Sequence, residues 1–295
     1  MDAILIAGPT ASGKSSLAMR LAERFNGAIV NSDSMQVYGG LRVLTARPDA
    51  QAEVQAPHHL YGHVDPSISY STGAWLRDVH ALLERQILGG RLPIFVGGTG
   101  LYFKALLGGL SDMPAVPTAI RQRWRDRLAV EGPEALHALL LARDPPVADR
   151  LKPHDGQRIL RALEILDATG ESLASFQASS GRVIFDPSQV RKIILAPDRA
   201  WLRTVIATRF EAMMSGGAVA EVEALLSRDL DPALPAMKAI GVREIGGALA
   251  GRTTMEEAVS HAVTATRQFA KRQSTWFRNQ FGGDWERWEN ADDVN

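Results

Sequence analysis

Ala3-Ile4-Leu5-Ile6-Ala7-Gly8-Pro9-Thr10-Ala11-Ser12-Gly13-Lys14-Ser15 is an apolar run delivered straight into a loop bounded by glycines. Gly8 to Ser15 satisfies G-x-x-x-x-G-K-[ST] at every fixed position, and Leu17, Ala18, Leu21 and Phe25 continue with helical spacing. The order is strand, loop, helix, the setting that a P-loop requires. Glycines let the backbone turn tightly, so that successive N–H groups and the positive end of the following helix point at one phosphate. Lys14 adds a mobile cation there, and Ser15 offers a hydroxyl to Mg²⁺. The motif specifies a polyphosphate, but neither which one nor what is done to it.

Working outward, the 295 residues suffice for one large domain and a smaller one. Lys plus Arg and Asp plus Glu number 33 each, a formal net charge of zero, so the chain lacks the global basic signature of many nucleic-acid binders. Any RNA partner must be held by local patches. The chain contains no cysteine, which removes disulfides, thiolate catalysis and cysteine-based zinc sites and fits a cytoplasmic enzyme. The first strand begins at once, and no apolar run approaches the ~20 residues of a membrane span, so neither a signal peptide nor a membrane partner is expected.

Gly27 to Asn31 reads as a second strand, followed by Ser32-Asp33-Ser34-Met35-Gln36-Val37-Tyr38. Ligands of open parallel sheets sit beyond the carboxyl ends of the strands, which puts Asp33 on the same rim as the P-loop. A carboxylate there repels phosphate unless it serves a metal or a second substrate; the alternative is an aspartate that caps its loop. His58 and His59 have no third ligand at useful spacing and read as structural rather than metal-binding. Trp75, Val79, Leu82, Leu83 and Ile87 mark an amphipathic helix stopped by Gly89-Gly90. Leu92 to Val96 is a third strand, ending in Gly97-Gly98-Thr99-Gly100-Leu101-Tyr102-Phe103-Lys104. Lys104 is either a phosphate ligand or a solvated helix lysine.

After the glycines and prolines of 108–117 the strand–helix alternation stops. Helices are expected at 118–130, 133–142, 145–151 and 155–169, the last with Asp155 as N-cap, Gly170 as stop and Ile159, Leu163 and Leu166 as its buried stripe. Gln157, Arg158 and Arg161 share another face, either solvated or in contact with a ligand. Strand character returns at Val190 to Ala196, so the sheet resumes after an insertion. Asp198 caps a helix carrying Arg209, and Thr253-x-x-Glu256 reads as a capping box opening a long final helix whose Arg267, Lys271 and Arg278 share a face.

Taken in order, Gly8 to Ser15, Asn31 to Tyr38, Gly97 to Tyr102 with Lys104, and Ala265-Thr266-Arg267-Gln268-Phe269-Ala270-Lys271-Arg272-Gln273 closely resemble the tRNA dimethylallyltransferase family, also called tRNA isopentenyltransferases. The resemblance spans nearly the whole chain. It implies an α/β fold, a P-loop NTPase-like parallel sheet flanked by helices with an inserted all-helical subdomain. The catalytic core with its C-terminal helices would comprise 1–111 and 186–295, and the tRNA-binding insertion 112–185. The implied reaction transfers a dimethylallyl group from dimethylallyl diphosphate to N6 of adenosine 37 in tRNAs reading codons that begin with U, with Mg²⁺ as cofactor, in the cytoplasm and as a monomer.

The same resemblance assigns residues. Gly8, Pro9, Thr10, Ala11, Ser12, Gly13, Lys14 and Ser15 form the diphosphate loop, with Thr10 and Ser15 as catalytic positions and Ser15 toward Mg²⁺. Lys104 and Arg209 neutralise charge, and Asp33 is the base. Contacts to tRNA fall on Asp33, Ser34, Met35, Gln36, Thr99, Arg121, Gln157, Arg158, Ile159, Leu160, Arg161, Lys238 and Arg243. One departure stands out: relatives often carry arginine where this chain has Val205, and if that arginine holds diphosphate, another group, such as Arg203, must substitute.

The chemistry suits these residue types. No apolar run ends in a carboxylate suited to hold Mg²⁺ for ATP hydrolysis, which is natural where the bound diphosphate is a leaving group. The exocyclic amine of adenine is a poor nucleophile, whereas an allylic diphosphate ionises easily, so the main task is stabilising the departing charge. Nitrogen becomes acidic as it bonds to carbon, and a carboxylate of ordinary basicity then takes its proton. Three other classes use parts of the same pattern: a small-molecule kinase, an isopentenyltransferase acting on free nucleotides, and a catalytically silent RNA-binding module.

Overall fold

The computed structural model describes residues 1–111, 113–178, 181 and 183–293. Its elements are β1 (Ala3–Ala7), α1 (Lys14–Phe25), β2 (Gly27–Asn31), α2 (Ala50–Gln55), β3 (His58–His59), α3 (Thr72–Glu84), β4 (Leu92–Gly97) and α4 (Gly100–Gly108). Then come α5 (Thr118–Arg143), α6 (Pro145–Ala148), α7 (Gly156–Thr169) and α8 (Leu173–Gln177). The chain closes with β5 (Val190–Leu195), α9 (Arg199–Ser215), α10 (Ala218–Leu226), α11 (Val242–Leu249), α12 (Met255–Gln280) and β6 (Glu286–Trp288). It divides into two compact units, 1–107 with 184–295, and 108–183. Against the expected bounds of 112 and 185, the helical unit both begins and ends a few residues earlier.

The first unit is built on one parallel sheet in the order β3-β2-β4-β1-β5-β6. All five residues of β1 are buried, as an apolar run between two covered faces must be. Alternation sorts them. Ala3, Leu5 and Ala7 pack with α3, α4 and the end of α12, while Ile4 and Ile6 pack with Leu17, Ala18 and Leu21 of α1. Trp75 is fully buried in the first of these layers, stacks on Tyr102 with ring centroids 4.1 Å apart, and donates from Nε1 to the carbonyl of Asn31 at 2.8 Å. A third cluster joins α9, α10, α11 and α12 through Ile206, Phe210, Val222, Ile245 and Ala262.

The second unit is helical. Trp124, Leu136, Leu140, Ile159, Leu163 and Ile165 form its core. Gly132, at φ 80°, and Pro133 break α5, so that the two helices expected on either side abut at a kink. Asp155 caps α7 and Gly170 ends it.

Several expectations shift. The capping box of α12 is Thr254 with Glu257, one residue beyond Thr253 and Glu256: Glu257 Oε2 accepts from Thr254 N at 2.9 Å and Thr254 Oγ1 from Glu257 N at 3.1 Å. Helix α3 stops at Glu84, leaving Ile87 exposed in the following turn rather than on the buried stripe. The histidine pair is structural. It forms the short strand β3 beside β2, and His58 Nδ1 bonds the carbonyl of Ala56 at 2.8 Å. Among the described residues no helix is long and apolar enough to cross a membrane.

Trp75 tests the packing of the sheet. Replacing it with alanine removes the stack on Tyr102 and the bond to Asn31, and should cost about 3–5 kcal/mol in denaturant unfolding; a loss below about 1 kcal/mol would show that the layer is held elsewhere.

Candidate active site

Three strand ends build the site. Residues of β1 pair with β4 from Ile4–Ile94 to Ala7–Gly97, and β2 pairs with β4 up to Asn31–Val96, so the loops after β1, β2 and β4 leave the same edge. Behind β1, Ala11 and Gly13 turn the backbone at φ 65° and 85°, and the loop closes with Ser12 N donating to Pro9 O at 3.3 Å. Gly13 precedes α1 without a side-chain cap, so the first N–H groups of that helix are left for an anion. Lys14 Nζ donates to Pro9 O at 2.6 Å, wrapped within the loop. Desolvation there lowers its pKa to about 7; Asp33 opposes the shift and Arg209 adds to it.

Behind β2, Asn31 shapes the loop by accepting from Asp33 N at 2.8 Å and donating to Asp33 O at 3.0 Å. Asp33 Oδ1 accepts from Met35 N at 2.9 Å, while Oδ2 has no hydrogen-bond partner among the described residues. The aspartate therefore caps its loop with one oxygen and presents the other. Behind β4, Thr99 Oγ1 accepts from Ser34 N at 2.9 Å, which fixes the loop beyond Asp33.

Two cavities adjoin here. One, of about 410 Å³, is lined by Thr10 to Ser16, Gln36, Tyr61, Trp201 and Val205. The other, of about 330 Å³, is lined by Ser34, Met35, Leu44, Ile206, Phe210, Lys238, Phe269 and Arg272. Thr10, Asp33, Thr45 and Arg209 line both. Arg209 reaches in from α9, its Nη2 donating to Thr10 Oγ1 at 2.5 Å. Burial disfavours its charge and the carboxylate of Asp33 supports it. The first cavity is polar and cationic, fit for a diphosphate. The second has apolar walls and a few polar groups, fit for a flat heterocycle.

Other expected residues lie elsewhere. Lys104 is exposed on α4 and donates to Gln280 Oε1 at 3.0 Å, lining neither cavity. Arg203 does not replace the arginine missing at Val205: it lines a separate groove with Arg199, Arg267 and Lys271, because residues 203 and 205 project from different faces of α9. Arg243 is exposed on α11 outside both cavities. Gln36, by contrast, lies in the wall of the first cavity and donates to the carbonyls of Thr45 and Ala46. In the helical unit Arg158 Nη1 lies 3.4 Å from Asp155 and Arg161 Nη1 3.6 Å from Glu164, both beside a cavity of about 250 Å³ that Arg150 also lines. Ile159 is wholly buried in the core of the helical unit, and Leu160 is half-buried against the same core. Arg121 lies on α5, near enough to Glu164 to lower its pKa against the effect of burial.

Sequence reasoning missed Tyr61, Arg272 and above all Gln273, which binds the P-loop to the β4 loop. One signal was available: Ala262, Thr266, Ala270, Gln273 and Phe277 make the buried stripe of α12, and an amide in such a stripe needs partners.

Lys14 yields a pH prediction. A bound dianion favours the ammonium form, so where the free loop holds Lys14 partly neutral, binding draws a proton onto it. Affinity for inorganic diphosphate should therefore be fullest below about pH 7 and decline above it. Titration calorimetry above that pH, in buffers of differing ionisation enthalpy, should read more proton uptake for the wild type than for Lys14→Arg, whose guanidinium stays charged. Equal uptake would place the proton elsewhere.

Comparison with known proteins agrees with this geometry. The family model described as IPP transferase matches residues 36–280, and that described as isopentenyl transferase matches residues 1–69. A tRNA dimethylallyltransferase of Rhizobium meliloti (strain 1021) is 56% identical over 292 residues, covering 99% of this chain and 96% of its own. One of Rhizobium johnstonii is 58% identical over 287 residues, 97% of each chain. Among solved structures, the full-length tRNA isopentenylpyrophosphate transferase of Bacillus halodurans superposes with TM-score 0.68 at 33% identity over 100% of this chain and 92% of that one. A eukaryotic dimethylallyltransferase, solved acting on tRNA, gives TM-score 0.77 at 29% identity over 93% and 69%. A P-loop sheet with a helical insertion, two cavities meeting at Asp33, and identity above half over almost the whole length lead to one conclusion: this chain belongs to the tRNA dimethylallyltransferase (IPP transferase) family of prenyltransferases.

Proposed function

We propose that this protein transfers the dimethylallyl group of dimethylallyl diphosphate to N6 of adenosine 37 in tRNAs reading codons that begin with U. The observation that carries the reading is the junction of the two cavities at Thr10, Asp33 and Arg209. Diphosphate occupies the P-loop cavity, against the N–H groups of α1, Lys14 and Arg209. The adenine enters the adjoining cavity after leaving its stack, at a cost of a few kcal/mol.

At the junction the N6–carbon bond forms as the allylic carbon–oxygen bond breaks. The electron pair leaves with diphosphate, whose growing charge faces Lys14 and Arg209. The Thr10 hydroxyl oxygen already accepts from Arg209, so its own proton is available to the departing oxygen. The proton on N6 passes to Asp33 Oδ2, the oxygen without a hydrogen-bond partner among the described residues. Ser15 and Asp33 line the phosphate cavity, and Mg²⁺ commonly takes one or two protein oxygens, phosphate oxygens and waters, so the residues fit that ion. When bound, Mg²⁺ neutralises charge on the diphosphate. Arg158 and Arg161 serve the tRNA phosphates from the helical unit. The reading places the enzyme in the cytoplasm, where unmodified tRNA is found, and acting as a monomer.

The deciding assay is incubation with unmodified tRNA and labelled dimethylallyl diphosphate. Label should appear in tRNA; ATP consumption with a small acceptor, or prenylation of AMP, would instead favour a kinase or a free-nucleotide enzyme. Asp33→Asn should lower single-turnover transfer by about 10² or more with little change in diphosphate affinity. Near-normal transfer by the folded variant would reduce Asp33 to a loop cap. Arg158→Ala and Arg161→Ala should weaken tRNA binding and flatten its dependence on salt. An unchanged salt slope would return that face to solvent.

A further inference from the structure

Gln273 is 6% exposed, in the buried stripe of α12, and lines neither cavity. An amide so placed is costly unless its hydrogen bonds are made. Both ends are engaged: Oε1 accepts from Thr10 N at 2.8 Å, and Nε2 donates to Gly98 O at 3.0 Å. The orientation is forced, since a backbone N–H only donates and a carbonyl only accepts. A reversed amide would set like against like at both contacts.

The two groups it holds belong to opposite halves of the reaction. Thr10 is tied through its hydroxyl to Arg209, on the leaving-group side. Gly98 sits against the proton acceptor: a Cβ built there would lie 3.3 Å from Asp33 Oδ2 and 2.1 Å from Gln273 Nε2. The next residue, Thr99, carries the backbone on both sides of Asp33, donating from its N to Ser32 O at 3.2 Å and accepting from Ser34 N at 2.9 Å. A continuous chain of contacts therefore runs from Arg209 through Thr10, Gln273, Gly98 and Thr99 to the Asp33 loop.

We propose that Gln273 is a positioning residue that sets the separation between the leaving-group side, Thr10 with Arg209, and the proton acceptor Asp33. The inference rests on the transfer reaction proposed above. Because Gln273 touches neither cavity, its effect falls on the rate of transfer and not on the binding of either substrate. Misplacing reacting groups by about an ångström costs rates on the order of 10²-fold.

The test uses the full chain with Gln273→Met, which keeps the volume and loses both bonds, and Gln273→Glu, which keeps the acceptor for Thr10 N but cannot donate to Gly98 O when ionised. Each is assayed for single-turnover transfer with tRNA and dimethylallyl diphosphate saturating, for tRNA and diphosphate affinity, and for thermal melting. Expected are a fall of about 10²-fold in transfer, affinities within about threefold of wild type, and little further loss when Gln273→Met is added to Asp33→Asn, since residues acting as one unit are non-additive. Normal transfer by a folded Gln273→Glu protein, or a loss of tRNA affinity as large as the loss of rate, would overturn the proposal, as would full additivity with Asp33→Asn. If Gln273→Met does not fold, Gln273→Glu and Gly98→Ala, whose Cβ displaces the same amide, decide by the same measurements. A wild-type protein that transfers nothing to tRNA would refute the reaction itself, a result separable from failure of the positioning role.

Discussion

Parallel pairing of β1 with β4 and of β4 with β2 makes three strands finish on one edge of the sheet, and the loops that carry Lys14, Asp33 and Gly98 leave from that edge, with Arg209 reaching them from α9. A parallel sheet needs both faces covered, which explains why β1 is apolar throughout and why α1 lies on one side while α3 and α4 lie on the other. The loops are then the only parts of these strands free to carry polar function. The P-loop, the Asp33 loop and the Gly98 loop are brought together by register alone, before any side chain is considered.

Within that frame the charges are balanced against one another. Lys14 and Arg209 gather around one phosphate cavity, where burial weakens the hold of each on its proton, and the carboxylate of Asp33 compensates both. An anion in that cavity favours the charged form of both groups, which is the electrostatic condition for binding a leaving group. Oδ2 of Asp33, which has no hydrogen-bond partner among the described residues, lies at the same junction, where the proposed base would stand beside the departing charge. Proximity of acceptor and leaving group suits a substitution in which the proton is lost only as the new bond forms.

The final helix closes the arrangement. It begins with a capping box at Thr254 and Glu257, continues as a buried stripe against α9 and α11, and ends in the aromatic cluster of Trp276, Phe277 and Phe281. One polar residue in that stripe reaches the two loops that β1 and β4 release. A single helix thus contributes packing to two hydrophobic clusters and rigidity to the site between them.

Local patterns were legible wherever one short stretch holds its own cause. The apolar strand, the glycines and the lysine of residues 3–15 determine a phosphate loop, because strand, turn and helix N-terminus are neighbours in the chain. Asp155, Gly170 and Asp198 were readable as helix ends for the same reason. Relations between distant segments were not readable. Nothing near Lys104 says that its ammonium meets Gln280, and nothing near Arg203 says that it turns from the P-loop. The sequence by itself therefore determined the fold class, the phosphate loop and the placing of Asp33 on the ligand rim. Only the tertiary structure decided which cations reach the cavity and that Gln273 joins the two halves of the site, because both depend on which face of a helix meets a loop more than a hundred residues away, as with Gln273 and Gly98, which are 175 apart.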